Sequence, residues 1–421
     1  MLPLLVFFLF VVITDLYTFK GLKTLWSGSF SPLAKLFFKT LYWLIPLILL
    51  ASIAYVLYLR PVEPAPRIFN GYYYIVAFFI MVYFPKLVFI LFHLTEDIVM
   101  FTERSVKALS GYLRNKTTTP FGEIKVTRRK FLSRIGIIVA LIPFLAVIYG
   151  MAIGRFDFQV THKTIESGNL PASFDGFRIV HISDLHIGSF YGYEERVRQA
   201  VEIINGQKPD VIVFTGDLVN RFTSEIDGFI DILAGMESDF SKYSVLGNHD
   251  YGDYYQWESE LAKEENMQDM LLAHENIGFR LLINESETIS VNGETIAIIG
   301  VENWGNPPFP RYGDLEKSLS GTDSIPFLIL LTHDPSHWDA EVLGLTGVDL
   351  TLSGHTHGMQ FGIENRFIRW SPSKIKYPRW GGLFEEQGQY LYVNRGLGFT
   401  AFPGRIGMPP EITVIELIRP I

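Results

Sequence analysis

The sequence predicts a membrane-embedded helical region, residues 1–154, followed by an α/β sandwich, residues 155–421, of two stacked sheets flanked by helices. Three observations carry this. First, charge and hydropathy divide the chain. Of its 36 Lys+Arg and 44 Asp+Glu, residues 1–154 hold 16 and 6, which leaves 20 and 38 for the remainder. The first part is therefore basic and apolar and the second strongly acidic. Second, the later half alternates strand-like and helix-like patterns and then becomes strand-rich, the signature of an α/β sandwich. Third, five polar segments each follow a short apolar run, as residues at the ends of buried strands do.

The membrane region rests on four apolar stretches, about Leu2–Tyr17, Leu41–Leu59, Tyr72–Leu94 and Ile135–Ile153. Three approach the twenty residues that cross about 30 Å of hydrocarbon, and the first is shorter. Asp15 and Lys86 lie within or near these spans. Such residues mark a functional pathway or pair between helices. The loops set the orientation. The first carries Lys20, Lys23, Lys35 and Lys39, and the third, Glu96–Arg134, carries nine basic residues, while the short second loop carries only Arg60 and Arg67 beside Glu63. The positive-inside rule puts the first and third loops in the cytoplasm, and hence both termini and residues 155–421 outside it.

After the last span, Arg155–Ser173 reads as a connector with an early strand. Strands are expected at Phe177–Ser183, Val211–Thr215, Tyr243–Leu246, Thr295–Val301, Phe327–Leu331, Val348–Leu352, Tyr390–Asn394 and Ile412–Leu417. Helices are expected at Tyr193–Gly206 and Ser224–Met236, and the acidic, amphipathic Trp257–Ala273 makes a third. There is no cysteine, so disulfides and thiolate chemistry are excluded. The acidic balance of the second part argues against nucleic acid as a partner, because phosphate backbones need a basic track.

The five polar segments are Asp184-Leu185-His186, Gly216-Asp217, Gly247-Asn248-His249-Asp250, Thr332-His333-Asp334 and Gly354-His355-Thr356-His357. They supply enough His, Asp and Asn to hold two metal ions with positions open for a substrate. The i, i+2 spacing of Asp184/His186 and of His355/His357 puts each pair on one side of an extended segment. Mixed nitrogen and oxygen donors suit Mn, Fe or Zn and disfavour Ca.

These five blocks, in this order, resemble the calcineurin-like metallophosphoesterases, over roughly Phe156 to Ile421. The resemblance implies a four-layer αββα fold and hydrolysis of a phosphoester at two divalent cations. It implies that Asp184, His186, Asp217 and His357 hold one ion, and that Asp217, Asn248, His333 and His355 hold the other. It also implies that His249 stands beside the phosphate, stabilising charge or protonating the leaving oxygen, with Asp250 orienting its ring; the alternative for His249 is a structural ligand. Asp334 either orients a ligand imidazole or caps the next helix. His181, His274 and His337 read as core or supporting histidines.

The segment Phe361–Pro410 is rich in aromatics and arginine and reads as a lid, as core packing or as a contact with the bilayer interface. Arg395 is a candidate phosphate contact. The run Asn394–Gly398 and the stretch Pro409–Thr413 are similar to a bacterial subgroup of membrane-tethered or exported members. That subgroup includes enzymes of cell-envelope phosphoesters, and distant relatives cleave the pyrophosphate of a UDP-diacylglucosamine lipid precursor. Met359 departs from the subgroup, which has a glycine there. Thr127–Ser133, with Arg128 and Arg129, resembles a twin-arginine export signal; the plainer reading is a basic helix flank. The expectation is a multi-pass inner-membrane phosphoesterase, phosphodiesterase-like, facing outward, with a lipid or envelope substrate and the twin-arginine translocase as a partner. The alternatives are a cytoplasm-facing enzyme of a nucleotide-linked lipid precursor and a non-catalytic sensor.

Overall fold

The computed structural model describes residues 2–26, 30–59, 66–114 and 123–420. It divides into two compact units, Met1–Tyr149 and Gly150–Ile421. The first contains helices α1 Leu2–Trp26, α2 Pro32–Leu59, α3 Pro66–Arg114 and most of α4 Glu123–Ala152. Each helix carries a stretch long and apolar enough to cross a membrane: Leu5–Leu25, Pro32–Tyr55, Gly71–Val106 and Lys130–Phe156, the last running just past the end of α4. Helices are the only open-chain solution there, because hydrocarbon offers no partner for a free backbone N–H or C=O.

The helices run beyond the apolar stretches in the sequence. The third, at 49 residues, would be about 73 Å long at 1.5 Å per residue, more than twice the hydrocarbon thickness. Its C-terminal part converts Glu96–Arg114, expected as loop, into helix. Arg60, Glu63 and Lys116 lie outside the described residues, as do the side chains of Arg128 and Arg129. Asp15 and Lys86 pair between α1 and α3, with Nζ to Oδ1 at 2.5 Å. Tyr83 donates to the other oxygen of Asp15 at 2.8 Å. Tyr42 of α2 donates to the Asp15 carbonyl. One buried carboxylate thus ties three helices together.

The second unit has two six-stranded sheets. In chain order its elements are β1 Gln159–Glu166, β2 Arg178–Ile182, α5 Glu194–Gly206, β3 Val211–Phe214, α6 Ile230–Ala234, β4 Ser241–Ser244, α7 Glu260–Ile277 and β5 Arg280–Leu281. There follow β6 Glu285–Val291, β7 Glu294–Gly300, α8 Leu315–Leu319, β8 Leu328–Leu331, β9 Leu350–Ser353, β10 Ile363–Glu364, β11 Arg369–Trp370, β12 Gly382–Glu386, β13 Gln389–Val393 and β14 Glu411–Ile418. The first sheet has the order β1-β14-β2-β3-β4-β5 and the second β12-β13-β9-β8-β7-β6. The strands that lead to the five polar segments are parallel within each sheet.

Side-chain alternation fixes the layers. Ile179, Val211 and Val213 of the first sheet meet Ile298, Ile329, Leu331, Leu350 and Leu352 of the second in one buried cluster. Their neighbours Val180, Ile212 and Phe214 face the other way and pack under Val197, Val201 and Ile204 of α5, Leu233 of α6 and Met270 and Ile277 of α7. On the far side, Ala297, Ile299 and Leu330 pack against Leu315 of α8 and against Trp338 and Val342. The result is a helix–sheet–sheet–helix stack with two-sided sheets, which is why the strands read as continuous apolar runs.

Differences from the expected elements have local causes. The helix expected at Ser224–Met236 is broken at Gly228, whose φ of 86° no right-handed helix accepts. Its remainder is a short turn, Thr223–Ile226, and α6. Helix α7 starts at Ser259, whose side chain accepts from Ala262 N, and ends at Gly278 in the left-handed region. Strand β6, Glu285-Ser-Glu-Thr-Ile-Ser-Val, was not expected: it is an edge strand with only Ile289 buried, so its apolar alternation is weak.

Candidate functional site

Each polar segment begins one to three residues beyond a strand. Asp184 and His186 follow β2, Asp217 follows β3, Asn248 follows β4, His333 follows β8, and His355 and His357 follow β9. The first three strands belong to one sheet and the last two to the other, so the segments converge where the two sheets abut at their C-terminal ends. All seven side chains are buried or nearly so.

The donor atoms crowd into one volume. One donor atom from each of Asp184, His186, Asp217 and His357 falls within a 4.8 Å group, and those of Asp217, His333 and His355 form a second. Asp217 is common to both. His186 Nε2 lies 3.0 Å from His357 Nε2, and His357 Nε2 lies 3.1 Å from Asp184 Oδ1. On the other side, His333 Nε2 is 3.2 Å from Asp217 Oδ2, 3.2 Å from His355 Nδ1 and 3.1 Å from Asn248 Oδ1. Imidazole nitrogens and carboxylate oxygens converging from separate loops form the donor set a divalent cation takes.

The outer contacts aim these donors. His333 Nδ1 donates to the Thr215 carbonyl at 2.7 Å, which turns Nε2 toward the site. His355 bonds Tyr377 OH through Nε2 at 2.7 Å, so its Nδ1 points inward. Asn248 gives its amide N–H to Tyr254 OH at 2.8 Å, which turns its oxygen toward His333. Gly247 and Gly354 are required by crowding: a Cβ on the first would strike the Asp217 carboxylate, and on the second Ser183 Oγ and the Asp184 carboxylate.

Charge follows from the same crowding. Burial alone would raise the Asp184 carboxyl, but His357 beside it outweighs this and holds it below the usual carboxylate range. Burial opposes ionisation of Asp217 too, and His333, His249 and His186 together hold it well below that range. The reciprocal effect is on His333: burial would lower it, yet the Asp217 carboxylate pushes it up to about 10. The centre therefore carries anionic carboxylates that attract positive charge from whatever source.

Asp250 is placed differently from the expectation. Its Oδ2 accepts from Asp217 N at 2.8 Å and Gly247 N at 2.9 Å, and its Oδ1 from Leu218 N and Val219 N. It clamps two ligand loops together and does not orient the His249 ring. That ring is held by its Nδ1–H donating to the Asn220 carbonyl at 2.6 Å, with Nε2 left toward the cavity. Asp334 caps Ser336 N at 2.8 Å and stands 3.8 Å from His355 Nε2, beyond hydrogen-bond reach. Arg395 does not line the cavity: its Nε bonds Glu411 at 2.7 Å and its Nη1 bonds Glu364. His181, His274 and His337 are fully buried, each bonded to a hydroxyl.

The centre opens into a cavity of about 530 Å³ lined by Asp217, Asn248, His249, His355 and His357 on its floor and by Met359, Ile375, Lys376 and Tyr377 on its walls. Two contributors, Tyr254 and Arg405, escaped sequence reasoning, whereas Tyr377 lies in the aromatic segment read as a lid and does line the cavity. Tyr254 stands six residues beyond Asn248, whose amide it accepts from. Arg405 is a buried guanidinium behind His357, at 3.3 Å from its Nδ1. Nothing in the chain near Arg405 signals its position, because a long loop brings it there.

Comparison with known proteins agrees with this geometry. The family model "Calcineurin-like phosphoesterase" matches residues 177–359, and "Probable Calcineurin-like phosphoesterase, transmembrane domain" matches residues 1–155. The Bacillus subtilis metallophosphoesterase YkuE is 34% identical over 308 residues, 70% of this chain and 98% of that protein. The chain belongs to the calcineurin-like metallophosphoesterases. An Aquifex aeolicus metallophosphoesterase is 29% identical over 65% of the chain and 98% of its own length. A zebrafish (Danio rerio) "transmembrane protein with metallophosphoesterase domain" is 28% identical over 67% of the chain and 62% of its own length. This metallophosphoesterase is a multi-pass membrane protein with a cluster of His and Asp residues able to hold metal.

Proposed function

We propose that this membrane metallophosphoesterase hydrolyses a phosphoester of lipid or cell-envelope type, at a two-cation centre facing outward from the inner membrane. The observation that supports the chemistry is Asp217, whose carboxylate is shared by both donor groups. Asp184, His186, Asp217 and His357 would hold one cation, and Asp217, Asn248, His333 and His355 the other, as Mn, Fe or Zn. Two such cations, when bound, neutralise phosphate charge and activate a water.

The chain's own groups do the rest. Asp250 holds the loops of Asp217 and Asn248 in register through four backbone N–H groups. His249 faces the cavity through Nε2, where an imidazolium N–H would donate to a developing phosphate charge or to the leaving oxygen. The Asn220 carbonyl favours the tautomer with the proton on Nδ1. Arg395, held by two carboxylates, acts on the structure of the rim and not on the phosphate.

A lipid or envelope substrate is supported by the four spans on the same chain, which keep the site at a bilayer. The outward orientation is supported by the basic first and third loops, and the twin-arginine translocase would read Thr127–Ser133. The test is Mn²⁺-dependent hydrolysis of a membrane-impermeant phosphodiester by spheroplasts, intact and lysed, with Asn248→Ala as control. Asn248-dependent activity in intact spheroplasts is expected. Activity only after lysis would overturn the orientation and favour a cytoplasmic lipid precursor.

A further inference from the structure

The cavity's rim continues into a surface unlike the rest of its unit. Twelve large apolar side chains are exposed between residues 155 and 420. Six of them, Met359, Ile363, Phe367, Ile368, Trp370 and Ile375, fall within seventeen residues. Phe367 and Ile375 are each 88% exposed. Isolated apolar side chains on a surface need no explanation, but a contiguous cluster beside a site marks an interaction.

Charge singles out the same segment. Residues 361–381 carry Arg366, Arg369, Lys374, Lys376 and Arg379 against one acid, Glu364, within a part of the chain that has 20 basic and 38 acidic residues. Arg366, Lys374 and Lys376 have no carboxylate within 4.0 Å among the described residues, whereas Arg369 and Arg379 are paired. The geometry is built and not frayed. Strands β10 and β11 pair antiparallel, and Asn365 Oδ1 accepts from Phe367 N and Ile368 N across the turn. At the base, Glu364 receives both Arg369 and Arg395. Arg395 in turn precedes Gly396, on which a Cβ would meet Asp184 at 2.6 Å.

We infer that the β10–β11 hairpin and the Lys374–Lys376 turn form a docking surface for an anionic lipid bilayer, which delivers a headgroup phosphate to the cavity. Apolar tips ringed by cations without a carboxylate partner match the boundary between acyl chains and anionic headgroups. Ile375 and Lys376 belong both to this surface and to the cavity wall, so the docked membrane and the site are continuous. The bilayer is the occupant because this chain is itself a multi-pass membrane protein, and because the cationic patch opposes the acidic remainder of its unit. The inference rests on the lipid reading for its purpose but not for its test.

The chain has no cysteine, so Phe367→Cys, Ile375→Cys and a reference, Leu345→Cys, can each carry one bimane label. Leu345 is 71% exposed and precedes β9, at the sheet end opposite the donors. Each full-length variant is placed in nanodiscs of phosphatidylglycerol and phosphatidylcholine with a doxyl-labelled lipid. Quenching at 367 and 375 but not at 345 is expected, and it weakens when phosphatidylglycerol is withdrawn. No quenching at 367 and 375, or equal quenching at all three, overturns the inference; so does excimer formation between pyrene labels at 367, which would show a second copy there. Separately, Phe367→Asp should slow hydrolysis of a lipid substrate about tenfold while a soluble phosphodiester is unaffected. Lipid quenching without lipid hydrolysis would sink the substrate reading alone. Lipid hydrolysis without quenching would sink the docking surface alone.

Discussion

The Asp250 clamp gives the sharpest stability prediction. Asp250→Asn keeps the side-chain shape but replaces one acceptor oxygen with a donor-only amide nitrogen. Whichever oxygen is lost served two backbone donors: Asp217 N and Gly247 N, or Leu218 N and Val219 N. The new N–H₂ then faces two buried N–H groups that have no other acceptor in these contacts. An orphaned buried donor costs about 1–3 kcal/mol, so two cost about 2–6 kcal/mol. That is a large part of the 5–15 kcal/mol typical of a domain. A loss near 3 kcal/mol corresponds to roughly 6–12 °C in a unit of this size. Because the same two loops carry Asp217 and Asn248, bound metal should fall together with stability. The assay is thermal unfolding by tryptophan fluorescence in detergent, with metal content measured on the same sample. A variant with unchanged unfolding temperature and full metal content would refute the clamp.

Other outcomes follow from the same structure. Asp217→Ala removes the carboxylate shared by both donor groups and should reduce bound metal from about two ions to one or none, read by elemental analysis. His249→Ala should lower kcat by about 10²–10⁴-fold with metal content intact, since its ring bonds a carbonyl and not the donor cluster; parallel loss of metal would make it a ligand instead. Chelation should abolish hydrolysis and lower the unfolding temperature, both restored by Mn²⁺. In the helical unit, Asp15→Leu alone strands Lys86 and should destabilise by about 3–5 kcal/mol, whereas Asp15→Leu with Lys86→Met should recover most of that; equal loss in both, measured by thermal aggregation in detergent, would show that the pair is not the cause.

The sequence made the donors legible because their chemistry tolerates few substitutes and because parallel strands deliver them in chain order. Buried strands such as Val211–Phe214 announce themselves as apolar runs, and the polar residue after each is conspicuous. What supports the donors was hidden. Asp250 sits next to His249 in the chain, which suggests a partnership, yet the turn at Gly247–Asp250 sends its carboxylate back to the loop after β3. Arg395 looked like a phosphate contact by type and by its place after a strand. Its neutralising partners, Glu364 and Glu411, lie 31 and 16 residues away, a separation no local pattern conveys. Edge strands such as β6 were missed for the reason that makes them safe at an edge, their polarity.

One property of the centre is visible only in the backbone. Asp184, His186, Asp217, His355 and His357 all have positive φ, between 43° and 71°. Asp and His enter this region more readily than most residues, but each still costs about 1–2 kcal/mol. Five such residues store several kcal/mol, an appreciable share of a domain's stability. Strain of this kind persists only where surroundings over-determine it. Here the ligand loops hold one another. Asp184 N donates to Gly216 O and His186 N to Asp217 O. His355 N donates to the Asp184 carboxylate, and Asp217 N donates to Asp250. Every one of these bonds crosses from one polar segment to another, so no loop keeps its conformation alone. The two sheets therefore do more than carry donors to a common edge. By packing face to face they bring the loops close enough to impose the strained geometry and to aim the donors at one another.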